Sequence, residues 1–483
     1  MPLKKSAILP PPRSPVHFGP VSNGEYAPRP AHPRHQEAEA LVLRLAGERA
    51  RALGMSRRQV LAGPIGTALA LHVVNLLSGC RGGKHDSGYA VDSVLGCDAD
   101  GARALLSGPD FVFDVQVHHV DASEGAGWVA GPWKTFFDYM TFTQGCVAGD
   151  YSCIGQEALV HEVFVNSDTT IAVLSALPAG DGLNPLPDAM IDETRQLINA
   201  LAASERLLTH AILRPNLGEA ELDTMGATLE QLDPVAWKVY TPWSPDGGAG
   251  WWLDDDVGGA FLERVMQAGP RRVCCHKGLP LTGQSREHAS PRDVGPAAAA
   301  FPDIDFLVYH SGYDTAYTEG PYDPEGQGAD RLIRSLQDAG IGPGQNVYAE
   351  LGATWHNVMA SPDEAAHLLG KLLKHLGEDN VLWGTDCVWF GTPQPQIDAF
   401  RAFTISEEMQ ETHGYPALTD AVKAKILGLN AARVYGVDPD AARCTLAEDL
   451  LAARRDRARD WGHLGPPVYG PRTRRELLGV LKG

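Results

Sequence analysis

The chain has 483 residues, with 41 basic against 60 acidic side chains and a formal net charge of −19. That balance excludes nucleic acid as the main partner, because phosphate binding needs concentrated positive charge. Eight cysteines in so long a chain do not make a disulfide framework, although Cys146 and Cys153 could pair if the protein is exported.

The charge is unevenly spread: residues 1–60 hold ten Lys and Arg but only four Glu. A basic leader on an acidic body fits a targeting segment better than a nucleic-acid domain. Residues 8–35, rich in Pro, His and Ser, read as extended chain. Residues 36–53 read as a short helix stopped at Gly54. Arg57 and Arg58 then precede a weakly apolar run, MSRRQVLAGPIGTALALHVVNLLSGC at 55–80, interrupted by Gly, Pro, His72 and Asn75. A spanning helix tolerates such polar residues poorly. The run instead resembles a twin-arginine export signal, and Leu77-Ser78-Gly79-Cys80 resembles a lipobox with Cys80 as lipid acceptor. The expected location is therefore the periplasm or cell envelope, with membrane association through the signal or a Cys80 lipid. The alternative is a buried amphipathic helix in a cytoplasmic protein.

After Cys97 short apolar runs alternate with amphipathic stretches, the βαβ signature. Strands are expected at 111–118, 170–177, 207–214, 235–241, 272–276, 305–310, 346–352 and 381–386. Helical patterns fall between them, at 188–204, 217–232, 256–268, 328–340 and 362–377. Eight apolar strands separated by helices predict an α/β fold, a (β/α)8 barrel over 100–440. An open doubly wound sheet is the alternative, but no G-x-G-x-x-G follows the first strand. The leader (1–54) and the signal-like helix (55–80) precede the barrel, and a helical tail (441–483) follows it. The long connection 119–169 is expected to cap the barrel mouth.

The candidate ligands share one feature: each lies at the C-terminal end of its strand. Gln116 and His118 end the first, His276 the fifth, His310 the sixth and Asp386 the eighth. In a barrel those ends converge on one mouth, where active sites of this fold sit. Gln116 and His118, two residues apart, face one side, and His119 faces the other, toward a helix. Nitrogen and oxygen ligands with one carboxylate form the pattern of an open catalytic metal site.

The order D-x-Q-x-H, His276, HSG at 310–312, NVYAELG, VLWGTD and AKILGLNAARVYGV at 425–437 resembles the amidohydrolase-related family, the branch that includes aminocarboxymuconate-semialdehyde decarboxylase. The resemblance implies that His118, His276 and Asp386 hold one divalent metal beside His310, which acts in proton transfer or substrate polarisation. Zinc is the expected ion, with manganese or magnesium as alternatives. Gln116 departs from the family, which usually has His there; its amide oxygen is a weaker, neutral ligand. Lys277 and Arg214 are candidates for binding an anionic substrate, and Glu350 for the mouth. Lys238, at a position where some superfamily members carry a carboxylated lysine, is a lesser candidate, as are His288, His356 and Trp389.

The implied activity is hydrolysis of an amide, ester or lactone of a small molecule, with Asp386 taking a proton from the attacking water. Non-oxidative decarboxylation of an aromatic or unsaturated acid is the alternative, since fold and ligands do not separate the two. A barrel that binds without catalysis is the second alternative, argued from Gln116. A homo-oligomer is the expected assembly.

Overall fold

The computed structural model describes residues 13–19, 26, 33–78, 87–91, 98–144, 146, 149–281, 283–443 and 448–460. Cys80, the expected lipid acceptor, and the Pro-rich stretch of the tail lie outside the described residues.

All eight expected strands form. A two-residue strand β1 (Gly88–Tyr89) precedes them, followed by β2 (Val112–Val117), β3 (Thr169–Leu174), β4 (Leu207–Ile212) and β5 (Ala236–Tyr240). Then come β6 (Arg272–His276), β7 (Asp305–Tyr309), β8 (Val347–Glu350) and β9 (Val381–Leu382), with β10 (Phe403–Thr404) last. β2 to β9 pair in sequence order, every pair parallel. Beyond β9 the chain returns to β2: Val115 N–H donates to Trp383 O, Asp386 N–H to Gln116 O, and His118 N–H to Cys387 O. Those bonds close a (β/α)8 barrel. Its interior is filled by Phe111, Phe113, Val115, Ile171, Val173, Leu307 and Tyr309, so it is a packed core rather than a pore.

The sequence runs apolar on both faces of each strand because both faces are covered. Val112, Ala172, Trp237, Val273, Phe306 and Val381 face the surrounding helices, such as Asp188–Ala202, Asp256–Ala268 and Pro362–His375. The helix Asp256–Ala268 begins at Asp255, whose carboxylate accepts from Gly258 N–H, and it ends at Gly269. Such a side chain satisfies a backbone donor that the first turn leaves unpaired.

The segment before the barrel forms α1 (Pro33–Leu53), α2 (Arg57–Ala62) and α3 (Pro64–Ser78), and these pack onto the barrel. Ala38, Val42, Ala46, Leu61, Ile65, Leu69, Leu71 and Val73 belong to the same apolar cluster as the barrel helices. Asn75, which interrupts the apolar run, is buried and exchanges two hydrogen bonds with the Tyr89 backbone, at 2.8 and 3.0 Å. The described parts of the leader and the signal-like helix thus pack on the folded body. In the folded chain the weakly apolar run is a buried helix. Among the described residues no helix is long and apolar enough to cross a membrane.

The 119–169 connection caps the barrel mouth. The helix α5 (Trp133–Gln144) lies within it, whereas α4 (Ala99–Leu106) packs on α3. Trp128, Trp133, Phe136, Phe137, Tyr151 and Ile154 pack against Trp389, Tyr240, Trp243 and Leu281 over the strand ends. A Cys146–Cys153 disulfide closes a short loop of this cap.

Candidate metal centre at the barrel mouth

β2 aims its side chains by breaking its own alternation. Phe113 and Val115 fill the barrel interior, so strict alternation would turn Gln116 outward. A register shift between Asp114 and Val117 intervenes, and Gln116 and His118 both reach the mouth. Irregularities of this kind re-aim side chains and cluster beside active sites. The buried Asp114 carboxylate holds the shift in place: it accepts from Gln116 N–H at 3.1 Å, from Thr385 N–H at 3.0 Å, and from the Thr385 hydroxyl. His119 points away to Thr194 Oγ1 on a surrounding helix, 3.0 Å distant.

The first cluster joins β2 to the strand that follows it round the barrel. Gln116 Nε2 donates to Asp386 Oδ1 at 2.8 Å and lies 3.3 Å from His118 Nε2. His118 Nε2 is 3.1 Å from the same Asp386 oxygen. The other nitrogen, Nδ1, sits 2.7 Å from Ser175 O. A carbonyl oxygen only accepts, so Nδ1 carries the hydrogen and a neutral His118 turns an Nε2 lone pair toward a carboxylate. Only a positive charge between them, proton or metal ion, makes that contact favourable.

The second cluster joins β6 to β7. His276 Nδ1 lies 3.2 Å from His310 Nε2, and His276 Nε2 meets Leu279 O at 3.1 Å. His310 Nδ1 meets Gly352 O at 2.7 Å. The same argument opposes two lone pairs. Burial lowers both imidazoles, His310 to about 3, so both are neutral near neutral pH. His310, expected to polarise a carbonyl through an N–H, therefore presents an acceptor. His310, Ser311 and Asp386 all hold positive φ, at 67°, 55° and 61°, a strain found where surrounding structure fixes a site.

Glu350 stands between the clusters. Its carboxylate accepts from His310 N–H at 3.0 Å and Gly352 N–H at 2.6 Å. A Cβ on Gly384 would lie 1.7 Å from Glu350 Oε1, so only glycine leaves room there. Burial raises Glu350 to about 8 and Asp386 to about 7, the latter opposed by Lys238. Lys238 itself is fully buried one layer below, 3.3 Å over the Tyr309 ring, with no hydrogen-bond partner for Nζ. Burial lowers it to about 8 against the attraction of both carboxylates. Sequence reasoning ranked Lys238 low; its inward register in β5 was the available signal.

Two expected substrate cations are spent elsewhere. Lys277 Nζ pairs with Asp293 at 2.8 Å, both groups fully buried. Arg214 forks onto Glu221 and also reaches Ala179 O and Asp181. Neither presents a free charge to the mouth. Trp389 does line it, stacked on His118 with centroids 5.2 Å apart, and Tyr240 stacks on His276 at 4.9 Å. His356 is buried against the Phe390 ring, and His288 accepts from or donates to Ser285 Oγ at 2.6 Å.

Among the described residues no group of three or more His, Cys, Asp and Glu side chains is arranged to hold a metal ion. The four-ligand set implied by the resemblance is not assembled, because the His276–His310 pair is turned in on itself. A smaller set fits. His118 Nε2 and Asp386 Oδ1 are two ligand atoms 3.1 Å apart, and the Gln116 amide nitrogen lies 3.3 and 2.8 Å from them. Ligands about 2.0–2.2 Å from one ion are separated by such distances. The orphaned, buried Gln116 Oε1 supplies an oxygen with no other use.

The amidohydrolase family model matches residues 187–437, more than half of the chain. The chain belongs to that family, which consists of metal-dependent enzymes. No curated protein matches it. Among solved structures it is similar to 2,6-dihydroxybenzoate decarboxylase from Rhizobium, with 15% identity, TM-score 0.37, and coverage of 68% of this chain and 99% of that one. It is also similar to 5-carboxyvanillate decarboxylase from Sphingomonas paucimobilis, with 13% identity, TM-score 0.37 and the same coverage. A third is amidohydrolase 2 from Bifidobacterium longum subsp. infantis, with 14% identity, TM-score 0.37, and coverage of 68% and 100%. Similarity at this level carries no argument about substrate.

Proposed function

We propose that the protein hydrolyses an amide, ester or lactone of a small molecule with the help of one divalent ion. The observation that carries this reading is the 3.1 Å contact between His118 Nε2 and Asp386 Oδ1, which a metal ion shared by the two would make favourable. Gln116, His118 and Asp386 would hold it, with His276 as the fourth ligand once its pairing with His310 is broken. Two imidazoles with two oxygen donors suit zinc, and the neutral amide also admits manganese. The ion supplies Lewis acidity, which lowers the pKa of water toward about 7.

The chain's own residues do the rest. Asp386, buried at the mouth, accepts a proton from the attacking water and returns it to the leaving group, a carboxyl's usual part in such steps. His310 Nε2 is an acceptor for a second proton. The aromatic cap excludes water and offers Trp389, Phe136 and Phe137 to a flat apolar substrate body.

That aromatic rim also favours a second reading, decarboxylation of a hydroxylated aromatic acid, in which a protonated Asp386 would supply the ring proton. Metal analysis of the purified protein, followed by assays of aryl esters and lactones against CO2 release from hydroxybenzoates, separates the two. Hydrolysis without CO2 supports the first reading; CO2 alone selects the second; neither, from metal-loaded protein, overturns both.

We also propose a location in the cell envelope, supported by the Cys146–Cys153 disulfide, since such bonds persist in oxidising compartments. Free Cys146 and Cys153 thiols in rapidly alkylated cells would place the protein elsewhere.

A further inference from the structure

We propose that the Gln116 amide is a two-position element: in one orientation its NH2 group donates to Asp386, and in the other it offers oxygen to a bound ion while the NH2 turns toward Glu350. The inference rests on the metal-centre reading above. In the structure the NH2 end lies beside the pair, 3.3 Å from His118 Nε2, and gives a hydrogen to Asp386 Oδ1 at 2.8 Å. The other end, Oε1, is buried with no donor.

Oε1 borders the same space as the Glu350 carboxyl. Gln116 Oε1 and Glu350 Oε1 lie 2.3 and 2.4 Å from the point that a Cβ on Gly352 would occupy. Both therefore border the gap that this glycine leaves open. Glu350 cannot swing away, because each carboxylate oxygen already accepts a backbone N–H, from Gly352 and from His310. A half-turn of the amide exchanges its two ends, and that terminal torsion is broad and roughly two-fold. NH2 then donates to Glu350, and Oε1 joins His118 Nε2 and Asp386 Oδ1 as a third converging acceptor. Three acceptors so close are favourable only around a cation.

Each orientation therefore suits one state of the site. With NH2 inward the amide gives a hydrogen to Asp386 but Oε1 has no donor. With oxygen inward every polar atom of the amide has a partner, provided the ion is present. Glu350 is a positioning residue for the metal site in this scheme, acting through Gln116.

The test uses full-length protein labelled with 15N-glutamine. The Gln116 side-chain NH2 resonance is assigned by its loss in Gln116→Leu, and zinc is titrated with calorimetry in parallel. Zinc should bind once per chain and shift that resonance. Glu350→Asp keeps a carboxylate but withdraws it from the amide, and should weaken zinc binding about tenfold, at the lower end of losses seen for residues that orient ligands. Gln116→Glu offers oxygen without turning, so in that background Glu350→Asp should change zinc affinity less than threefold. Zinc binding with an unmoved Gln116 resonance overturns the proposal and leaves the metal reading intact. No zinc binding by the wild type overturns both. If Glu350→Asp fails to fold, the resonance in the native protein decides alone.

Discussion

His276 Nδ1 and His310 Nε2 face each other at 3.2 Å while backbone carbonyls claim the hydrogen on the far nitrogen of each ring. Two neutral imidazoles in that arrangement repel, and His310 adds a positive φ of 67°. Asn tolerates such a φ better than most residues and its amide can donate to His276. His310→Asn should therefore raise stability, by roughly 1 kcal/mol, while removing activity, the trade expected where function demands strain. Urea unfolding beside an activity assay checks this; an unchanged or lower midpoint would refute it.

Metal should act as a ligand of the fold. A site that binds only in the native state adds about 2.7 kcal/mol when the ion is at 100 times its Kd. Zinc or manganese should raise Tm, and chelator should reverse the rise. His118→Ala should abolish the effect, and Gln116→His should shift it to lower metal concentration. Equal thermal shifts in wild type and His118→Ala would place the ion elsewhere.

Lys277 should prove structural. Its ammonium is enclosed with Asp293, and removing one partner of a buried pair typically costs about 3–5 kcal/mol. Lys277→Met should lose stability of that order, with KM unchanged in whatever protein stays folded. A large KM effect at native stability would restore it to the substrate.

Asp398 gives a pH signature away from the mouth. Burial, with Asp168 nearby, raises it from 3.8 to about 7, and it accepts from Gln394 at 2.7 Å. The folded state thus holds the proton more tightly than the unfolded one. The stabilisation this brings is full below pH 4 and is lost as pH rises toward about 7, at roughly 1.4 kcal/mol per unit. Asp398→Asn, neutral throughout, should flatten the pH dependence of stability between pH 4 and 7. Parallel curves for the two proteins would count against this.

Removing residues 1–80 should destabilise the protein rather than free a barrel. It would bare the face under Ile65, Leu69 and Val73, and each buried Leu or Ile lost typically costs about 2–5 kcal/mol. A truncated protein with native cooperativity and Tm would show that the helices are dispensable.

The barrel and its mouth were legible because βαβ alternation fixes which end of each strand faces the loops. His276, His310 and Asp386 are therefore placed by counting alone. Pairing was not legible. Nothing near Lys277 or Arg214 in the chain announces that Asp293 or Glu221 will take their charge, since a loop decides it. The inward turn of Gln116 and His118 depends on a shift pinned by Asp114 to Thr385, from the far end of the barrel sequence. The helical content of 57–78 was partly visible, but one hydropathy pattern serves both an export signal and a buried helix.

For α3 this sets a race. The apolar face that a translocation receptor would grip is the one that folds against the helices Pro362–His375 and Gln394–Ala402. Once the barrel closes, that face is withdrawn. If the protein is exported, a receptor must meet the newly made chain first, or pry the helix off a finished protein and leave Ile65, Leu69 and Val73 without cover. A chaperone that binds residues 57–78 during synthesis would decide which outcome prevails.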